Sequence, residues 1–204
     1  MPRLAFTVHL ASRSPQRRDL LRQLGVEFDV LLLREQAPRG PDVSETVFPG
    51  ESAEDFVRRV CRAKVRTAWT RSRERNLESY PVLAAHTSTC VEGVLLGKPT
   101  DDADAARMLR LLSGKVHTVL TAVAVQYNER FEMALSPSVV RFRELTVHDI
   151  ASYVETGEPM DKAGAYAIQG RAAAFISEFR GSYSGVMGLP LYETAELIGQ
   201  FRHH

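Results

Sequence analysis

The spacing of apolar residues alternates along the chain between short continuous runs and a helical period, which predicts an α/β protein. Apolar and β-branched runs predict strands at residues 4–10, 82–85, 118–125, 138–143 and 174–179. Apolar residues three or four positions apart predict helices at residues 15–24, 51–75, 103–112, 147–156 and 190–201. Glu92-Gly93 predicts a hairpin with arms at 89–91 and 94–96. Because strands and helices alternate irregularly, we expect a long, mixed, twisted sheet flanked by helices.

The first predicted helix begins in a way that favours anion binding. Ser14 followed by Pro15 is typical of a helix N-terminus, where free amide groups and the helix dipole attract negative charge. Arg13, Arg17 and Arg18 lie at the same end, and guanidinium groups match phosphate oxygens. Basic residues usually destabilise a first helical turn slightly, so their presence favours a bound anion over a merely solvated helix start.

The helix at 51–75 is strongly basic. Ser52, with an aspartate three residues later, is a predicted N-cap. A run of arginines is usually a solvated face, but Lys64 falls close to the apolar face of this helix. The preceding segment at 38–50 is rich in proline and glycine and predicts a loop, which contains Glu45.

Two further segments carry candidate chemistry. His86 and Thr87 are predicted to end the strand at 82–85, and Lys98 follows the hairpin; ligands bind at strand ends in many α/β folds. The segment 161–170 fits neither strand nor helix, and Gly164 within it permits positive φ or a close approach. Gln169 offers an amide that can recognise a polar ring. A tight structural connection is the alternative interpretation of this segment.

Short motifs follow one another in order from residue 12 to residue 190. They are Ser-x-Ser-Pro-x-Arg at 12–17, a loop glutamate, Arg-x-Lys at 62–64, Ala-x-Thr at 85–87, Gly-Lys-Pro at 97–99, Leu-Ser-Gly-x-x-His at 112–117, Asp-Lys-Ala-Gly-Ala-Tyr-x-Ile-Gln-Gly at 161–170 and Gly-Leu-Pro at 188–190. No single motif is decisive, but together they resemble the Maf family over residues 10–197. The resemblance implies a Maf-like or ITPase-like fold with two lobes around a nucleotide cleft. It also implies a pyrophosphatase that cleaves nucleoside triphosphates between the α- and β-phosphates, and Ile-Gln-Gly at 168–170 resembles the branch acting on dTTP and UTP.

The resemblance also assigns roles to individual positions. It implies phosphate binding by Ser12, Ser14 and Arg17, and base recognition by Gln16, Thr87 and Gln169. It implies catalytic roles for Glu45, Lys64, His86 and Lys98. It also implies that Glu45, the loop acid, binds a divalent cation, Mg²⁺ or Mn²⁺.

Two positions differ from the family pattern. Gln16 stands where arginine is common, although Arg18 is a candidate to reach the same phosphates. More importantly, His86 replaces the aspartate that serves as proton acceptor in the resembled family. Imidazole can act as a base near neutral pH, but Mg²⁺ prefers oxygen ligands, so we expect a weakened enzyme. The alternative is a nucleotide-binding or septum-related regulatory protein with impaired catalysis.

Composition is compatible with these expectations. The chain has 204 residues, 44% of them hydrophobic, without a compositional boundary, which predicts a single domain over 1–204. Its 26 basic and 25 acidic residues nearly cancel, so bulk charge does not favour nucleic-acid binding. Cys61 and Cys90 lack metal or disulfide spacing, and no signal peptide or membrane span is predicted. We therefore expect a cytoplasmic protein. Its expected partner is a nucleoside triphosphate, and a homodimer is one of the oligomeric states left open.

Overall fold

The strands form one mixed sheet. The structure, a computed structural model, describes residues 4–34 and 40–201. Its strands are β1 (Leu4–Leu10), β2 (Val26–Val30), β3 (Val82–Val91), β4 (Val94–Leu96), β5 (Val116–Tyr127), β6 (Arg130–Phe142) and β7 (Ile176–Arg180). Their order is β2-β1-β3-β5-β6-β7, with β4 paired to β3. Since β1 is parallel to β2 and β3 while β4 and β7 are antiparallel to their neighbours, the predicted mixed sheet is confirmed.

The helices agree closely with the apolar spacing. They are α1 (Pro15–Gln23), α2 (Ala53–Glu74), α3 (Asp102–Leu112), α4 (Val147–Val154), α5 (Tyr183–Met187) and α6 (Leu191–Gln200), with short 3₁₀ segments at Ala163–Ala165 and Arg171–Phe175. Each predicted helix is confirmed, with ends that differ by no more than two residues; α5 was not predicted. Within the part of the chain that the structure describes, no helix is long and apolar enough to cross a membrane.

Side-chain caps explain where three helices begin. The hydroxyls of Ser14 and Ser52 each accept a hydrogen bond from the backbone amide three residues later, at 3.4 and 3.1 Å. At α4 the cap is reciprocal, because Thr146 Oγ1 accepts from the Asp149 amide at 3.1 Å and Asp149 Oδ2 accepts from the Thr146 amide at 2.8 Å. These bonds satisfy amides that a helix N-terminus leaves without intrahelical partners.

Strand β3 is longer than predicted. The sequence predicts that His86 and Thr87 follow the end of a strand, but β3 continues through both residues to Val91. The prediction is wrong because hydroxyl-bearing residues, which often mark loops, find partners within the fold. Thr89 is fully buried and its Oγ1 donates to the Ala163 carbonyl at 3.1 Å. His86 and Thr87 therefore lie within a strand and not at its end.

Three other strands differ from the sequence-based prediction. β2 is not among the predicted strands, although Val26, Phe28 and Val30 alternate with acidic residues over its five positions; only Val26 is buried. β6 begins at Arg130 and not at residue 138, because its first half is only partly buried and Pro137 is typical of a strand end. The strand predicted at 174–179 begins at Ile176, since the two preceding residues belong to a 3₁₀ turn.

The described chain folds as two compact units. The first consists of residues 4–34, 40–86, 121–135 and 188–201, and the second of residues 87–120 and 136–187. Fully buried residues of the first unit include Val8, Leu10, Leu21, Val60, Val65 and Leu83. The core of the second unit includes Leu109, Leu112, Val140, Phe142, Tyr166 and Phe175. The predicted loop at 38–50 is described only from residue 40 onward.

An aromatic cluster in the second unit encloses a histidine. The His117 ring packs edge to face against Phe142, with ring centroids 5.0 Å apart, and its Nε2 lies 3.0 Å from the Tyr166 hydroxyl. Burial lowers the pKa of His117 to about 4. The neutral ring is therefore the form that belongs to the folded state.

This burial predicts a pH dependence of stability. The unfolded chain binds a proton at His117 near its ordinary pKa, whereas the folded chain resists until about pH 4. Stability from this group is therefore present at neutral pH and is lost progressively as the pH falls through that window, by up to about 3 kcal/mol. Urea unfolding at several pH values should show this loss in the parent and a shallower one in His117→Gln. Equal slopes for the two proteins would contradict the assignment.

Candidate active site

The N-terminus of α1 positions the side chain of Arg17. Its Nε donates to the carbonyl of Gly188 at 2.7 Å, and its Nη1 donates to Ser12 Oγ at 3.3 Å. Ser12 Oγ also accepts from the Ser14 amide at 3.2 Å. The predicted phosphate-binding residues Ser12, Ser14 and Arg17 are thus brought together in the first unit. Gly188 belongs to the Gly-Leu-Pro motif, but no local pattern predicts that its carbonyl contacts the site.

The charge of Arg17 shapes the electrostatics of this region. Burial lowers the pKa of Arg17, while the nearby Cys61 and Glu45 side chains raise it. An arginine in a protein keeps its proton, so the guanidinium remains a partly buried positive charge. Such a charge favours an anionic ligand beside a helix N-terminus.

The neighbouring residues of α1 have local partners. Gln16 Oε1 accepts from the Ser14 hydroxyl at 3.1 Å. Arg18 Nη2 donates to the carbonyl of Arg13 at 2.9 Å, and Arg13 Nη2 donates to the carbonyl of Leu33 at 3.2 Å. In this arrangement Arg18 stabilises the turn that precedes the helix.

Glu45 and Lys64 form an ion pair. Lys64 Nζ, on α2, lies 2.5 Å from Glu45 Oε1, and the side chains are 19% and 49% exposed. Both residues were predicted as site residues on different elements, and the structure brings them into direct contact. Glu45 lies close enough to Arg17 to raise the pKa of its guanidinium.

Two arginines of α2 hold the loop that carries Glu45. Arg59 Nη2 donates to the Thr46 carbonyl at 2.8 Å, and its guanidinium also pairs with the Glu51 carboxylate. Arg71 Nη2 donates to Asp42 Oδ1 at 3.0 Å. A run of arginines predicts a solvated face, whereas Arg59 and Arg71 bind the loop.

His86 lies in a largely buried part of β3. Its side chain is 7% exposed, and its ring packs edge to face against Phe56 of α2 with centroids 5.4 Å apart. Nearby, Cys61 Sγ donates to the Ala84 carbonyl at 3.5 Å. Burial raises the pKa of Cys61 to about 12, so its thiol is neutral at physiological pH. The Phe56 ring and the neutral Cys61 thiol are therefore among the groups near His86.

Lys98 lies beside the glycine-containing segment of the second unit. Its Nζ is 3.5 Å from Asp161 Oδ1, and both side chains are largely exposed. The Gly164 amide donates to the Gly97 carbonyl at 2.9 Å, which ties the segment to the residue before Lys98. Thr87 of β3 is half-buried.

Two glycines give this segment its shape. Gly164 has φ of 75°, and a Cβ there would lie 2.6 Å from Thr89 Oγ1. Gly170 has negative φ, but a Cβ would overlap the Glu158 carboxylate. The close approach expected from these glycines is therefore made to protein groups. Gln169 lies between them with an exposed side chain.

The family follows from comparison of the whole chain. The family model described as Maf-like protein matches residues 7–201. The chain belongs to the Maf family. The resemblance inferred from the short motifs is thereby confirmed.

Several curated Maf relatives carry the name dTTP/UTP pyrophosphatase. The protein from Nitrosomonas europaea is 49% identical over 191 residues, which are 94% of this chain and 92% of the relative. The protein from Aromatoleum aromaticum is 52% identical over 195 residues, 95% of each chain. The protein from Nitrosospira multiformis is 52% identical over 191 residues, 94% and 92% of the two chains. This chain therefore matches these relatives over nearly their full length.

Proposed function

We propose that this chain hydrolyses dTTP and UTP to the nucleoside monophosphate and pyrophosphate. The observation that carries the proposal is the identity of about half of all aligned residues with relatives of that name, over nearly the whole of both chains. Ile-Gln-Gly at 168–170 supports the same substrate class, since it resembles the pyrimidine branch of the family.

We assign phosphate binding to the cationic residues of the site. Arg17 offers a guanidinium fork beside the N-terminus of α1, and such forks match phosphate oxygens. Lys64 and Lys98 supply compact ammonium charges, each already beside one carboxylate. Ser12 and Ser14 add hydroxyl groups at the same helix terminus. Phosphate oxygens bound at any one of these residues would replace or share its internal partner.

Base recognition is assigned to uncharged polar groups. Gln169 has an exposed amide with donor and acceptor atoms, which suits the polar edge of a pyrimidine. Thr87 and Gln16 are the further candidates. A buried hydrogen bond lost to the wrong base costs roughly 1–3 kcal/mol, enough for useful discrimination.

The donor set fits a divalent cation that arrives with the substrate. In the described part of the chain, no three His, Cys, Asp or Glu side chains lie together to hold a metal by themselves. Mg²⁺ is commonly held by one or two carboxylates together with substrate phosphates, and Glu45 presents such a carboxylate beside the cationic residues. When bound, the cation would neutralise charge on the phosphates. Glu45 would hold it and Lys64 would orient Glu45.

Hydrolysis adds water across the α–β anhydride bond and requires a group that accepts the water proton. We propose that His86 is this group, at the position where the family carries aspartate. Imidazole can accept a proton near neutral pH, and a positioned base contributes roughly 10²–10⁴-fold in rate. Its protonated form would repel a divalent cation, whereas a carboxylate would attract one, so turnover should be slower than with a carboxylate.

The proposed activity predicts a substrate profile. Pyrophosphate release is measured with Mg²⁺ and with Mn²⁺. It should be about tenfold or more faster for dTTP and UTP than for ATP and GTP, because the free energy lost with one misplaced hydrogen bond corresponds to a ratio of that size. Orthophosphate should be measured in parallel, since its release would indicate cleavage at the γ-phosphate. Equal or faster cleavage of ATP or GTP would contradict the substrate class. Tight nucleotide binding without any pyrophosphate release would instead favour a regulatory protein.

The histidine in β3 predicts a gain of activity. His86→Asp should raise Mg²⁺-dependent pyrophosphate release by at least about tenfold, because a carboxylate supplies a hard oxygen ligand and a base that is ionised at physiological pH. The control is His86→Asn, because asparagine has nearly the shape of aspartate without its negative charge. Melting temperatures should accompany both variants, since position 86 is buried. An unchanged rate in a folded His86→Asp protein would show that position 86 is not catalytic.

A further inference from the structure

The exposed side chain of Gln169 projects from a backbone that is anchored on both sides. Ala167 and Ile168 before it are each 5% exposed, and Ala172 after it is fully buried. The Gly170 amide donates to the Ala167 carbonyl at 3.0 Å and closes a tight turn around Gln169. The backbone sets the direction of the Cα–Cβ bond in such a turn, so the groups that hold the turn determine the region that the Gln169 amide can reach.

Two side chains hold this backbone symmetrically. The Ala167 amide donates to the Tyr153 hydroxyl at 3.1 Å, and the Arg171 amide donates to Glu158 Oε2 at 3.1 Å. These amides lie two residues before and two residues after Gln169. Tyr153 Oη also donates to Glu158 Oε1 at 2.8 Å, so the two supports are joined to each other.

The supports are themselves held in place. Tyr153 is 3% exposed, and burial raises its pKa, so the hydroxyl stays protonated and can donate to Glu158 while accepting from Ala167. Thr156 Oγ1 donates to the Tyr153 carbonyl at 2.6 Å and accepts from the Glu158 amide at 3.1 Å. The pair is therefore a fixed part of the end of α4 and the turn that follows it.

Gly170 shows how closely the support fits. A Cβ at this position would overlap the Glu158 carboxylate, although the φ angle of Gly170 is −104° and suits other residues. The requirement for glycine here is thus a requirement for the approach of Glu158. A methyl group at 170 would push the turn and the carboxylate apart.

We propose that Tyr153 and Glu158 are positioning residues that set the orientation of Gln169 and thereby the selectivity of this protein among nucleotide bases. This inference rests on the proposed function, in which Gln169 recognises the base. Neither residue needs to touch the nucleotide, because both act through the backbone on either side of Gln169.

The test compares selectivity in variants of the full chain. Tyr153→Phe removes only the hydroxyl that joins Ala167 to Glu158, and Gly170→Ala introduces the methyl group that the carboxylate excludes. Gly199→Ala is the matched control, since a Cβ there meets nothing within 4 Å. For each protein, kcat/KM for UTP and for ATP and the melting temperature are measured. The ratio of UTP to ATP should fall by about fivefold or more in the first two variants and stay unchanged in the control.

The ratio distinguishes positioning from general support of the fold. A residue with only a structural role would lower the melting temperature and leave the UTP-to-ATP ratio within about twofold of the parent value; this result in folded Tyr153→Phe would overturn the inference. An equal fall in Gly199→Ala would also overturn it. A parent protein without any preference among bases contradicts the proposed function and this inference together, whereas a selective parent with equally selective variants contradicts this inference alone.

Discussion

A partly buried positive charge organises the first unit. Folding removes water from the Arg17 guanidinium. The group then donates hydrogen bonds to the Gly188 carbonyl and the Ser12 hydroxyl, and the Glu45 carboxylate raises its pKa. Carbonyl and hydroxyl oxygens carry only partial negative charge, so they satisfy the hydrogen bonds of the guanidinium without neutralising it. The guanidinium fork and the helix N-terminus beside it both favour anions with several oxygens, which supports the proposed role of Arg17 in phosphate binding.

Helix α2 extends the same electrostatic logic to the loop that carries Glu45. Arg71, Lys64 and Arg59 face the loop along one helix, and each pairs with an acidic residue of the segment 42–51. The Arg34 and Arg71 guanidinium groups hold the pKa of Asp42 well below its usual range, which reflects how strongly this end of the loop is bound. Because the loop is fixed on both sides of Glu45, its carboxylate is presented without a rigid secondary-structure element.

Sequence patterns predicted the features that depend on nearby residues. The caps at Ser14 and Ser52 involve amides only three residues away, and the sequence predicts both. Strand β2 alternates apolar and acidic residues over only five positions, and its place in the sheet depends on pairing with β1. For the same reason the end predicted for a strand at residue 85 was wrong, because Thr89 finds its partner 74 residues later in the chain.

In the candidate site, too, the sequence predicts local features but not the contacts between distant parts of the chain. Short motifs identified the types and order of the candidate residues, and the contact between Glu45 and Lys64 agrees with a shared site. They did not indicate that the Gly188 carbonyl binds a side chain 171 residues earlier. Nor did they indicate that Glu158 requires glycine at position 170. Such contacts depend on tertiary packing, which has no spacing signature in one sequence.

The proposed role of the Arg17 region is to bind the phosphates of a nucleoside triphosphate. Calorimetric titration with UTP should compare the parent, Arg17→Ala and the control Arg22→Ala, which removes an exposed arginine from the same helix. Loss of charge-assisted hydrogen bonds should weaken UTP binding about tenfold or more in Arg17→Ala, with Arg22→Ala close to the parent. Parent-like affinity in a folded Arg17→Ala protein would contradict the claim.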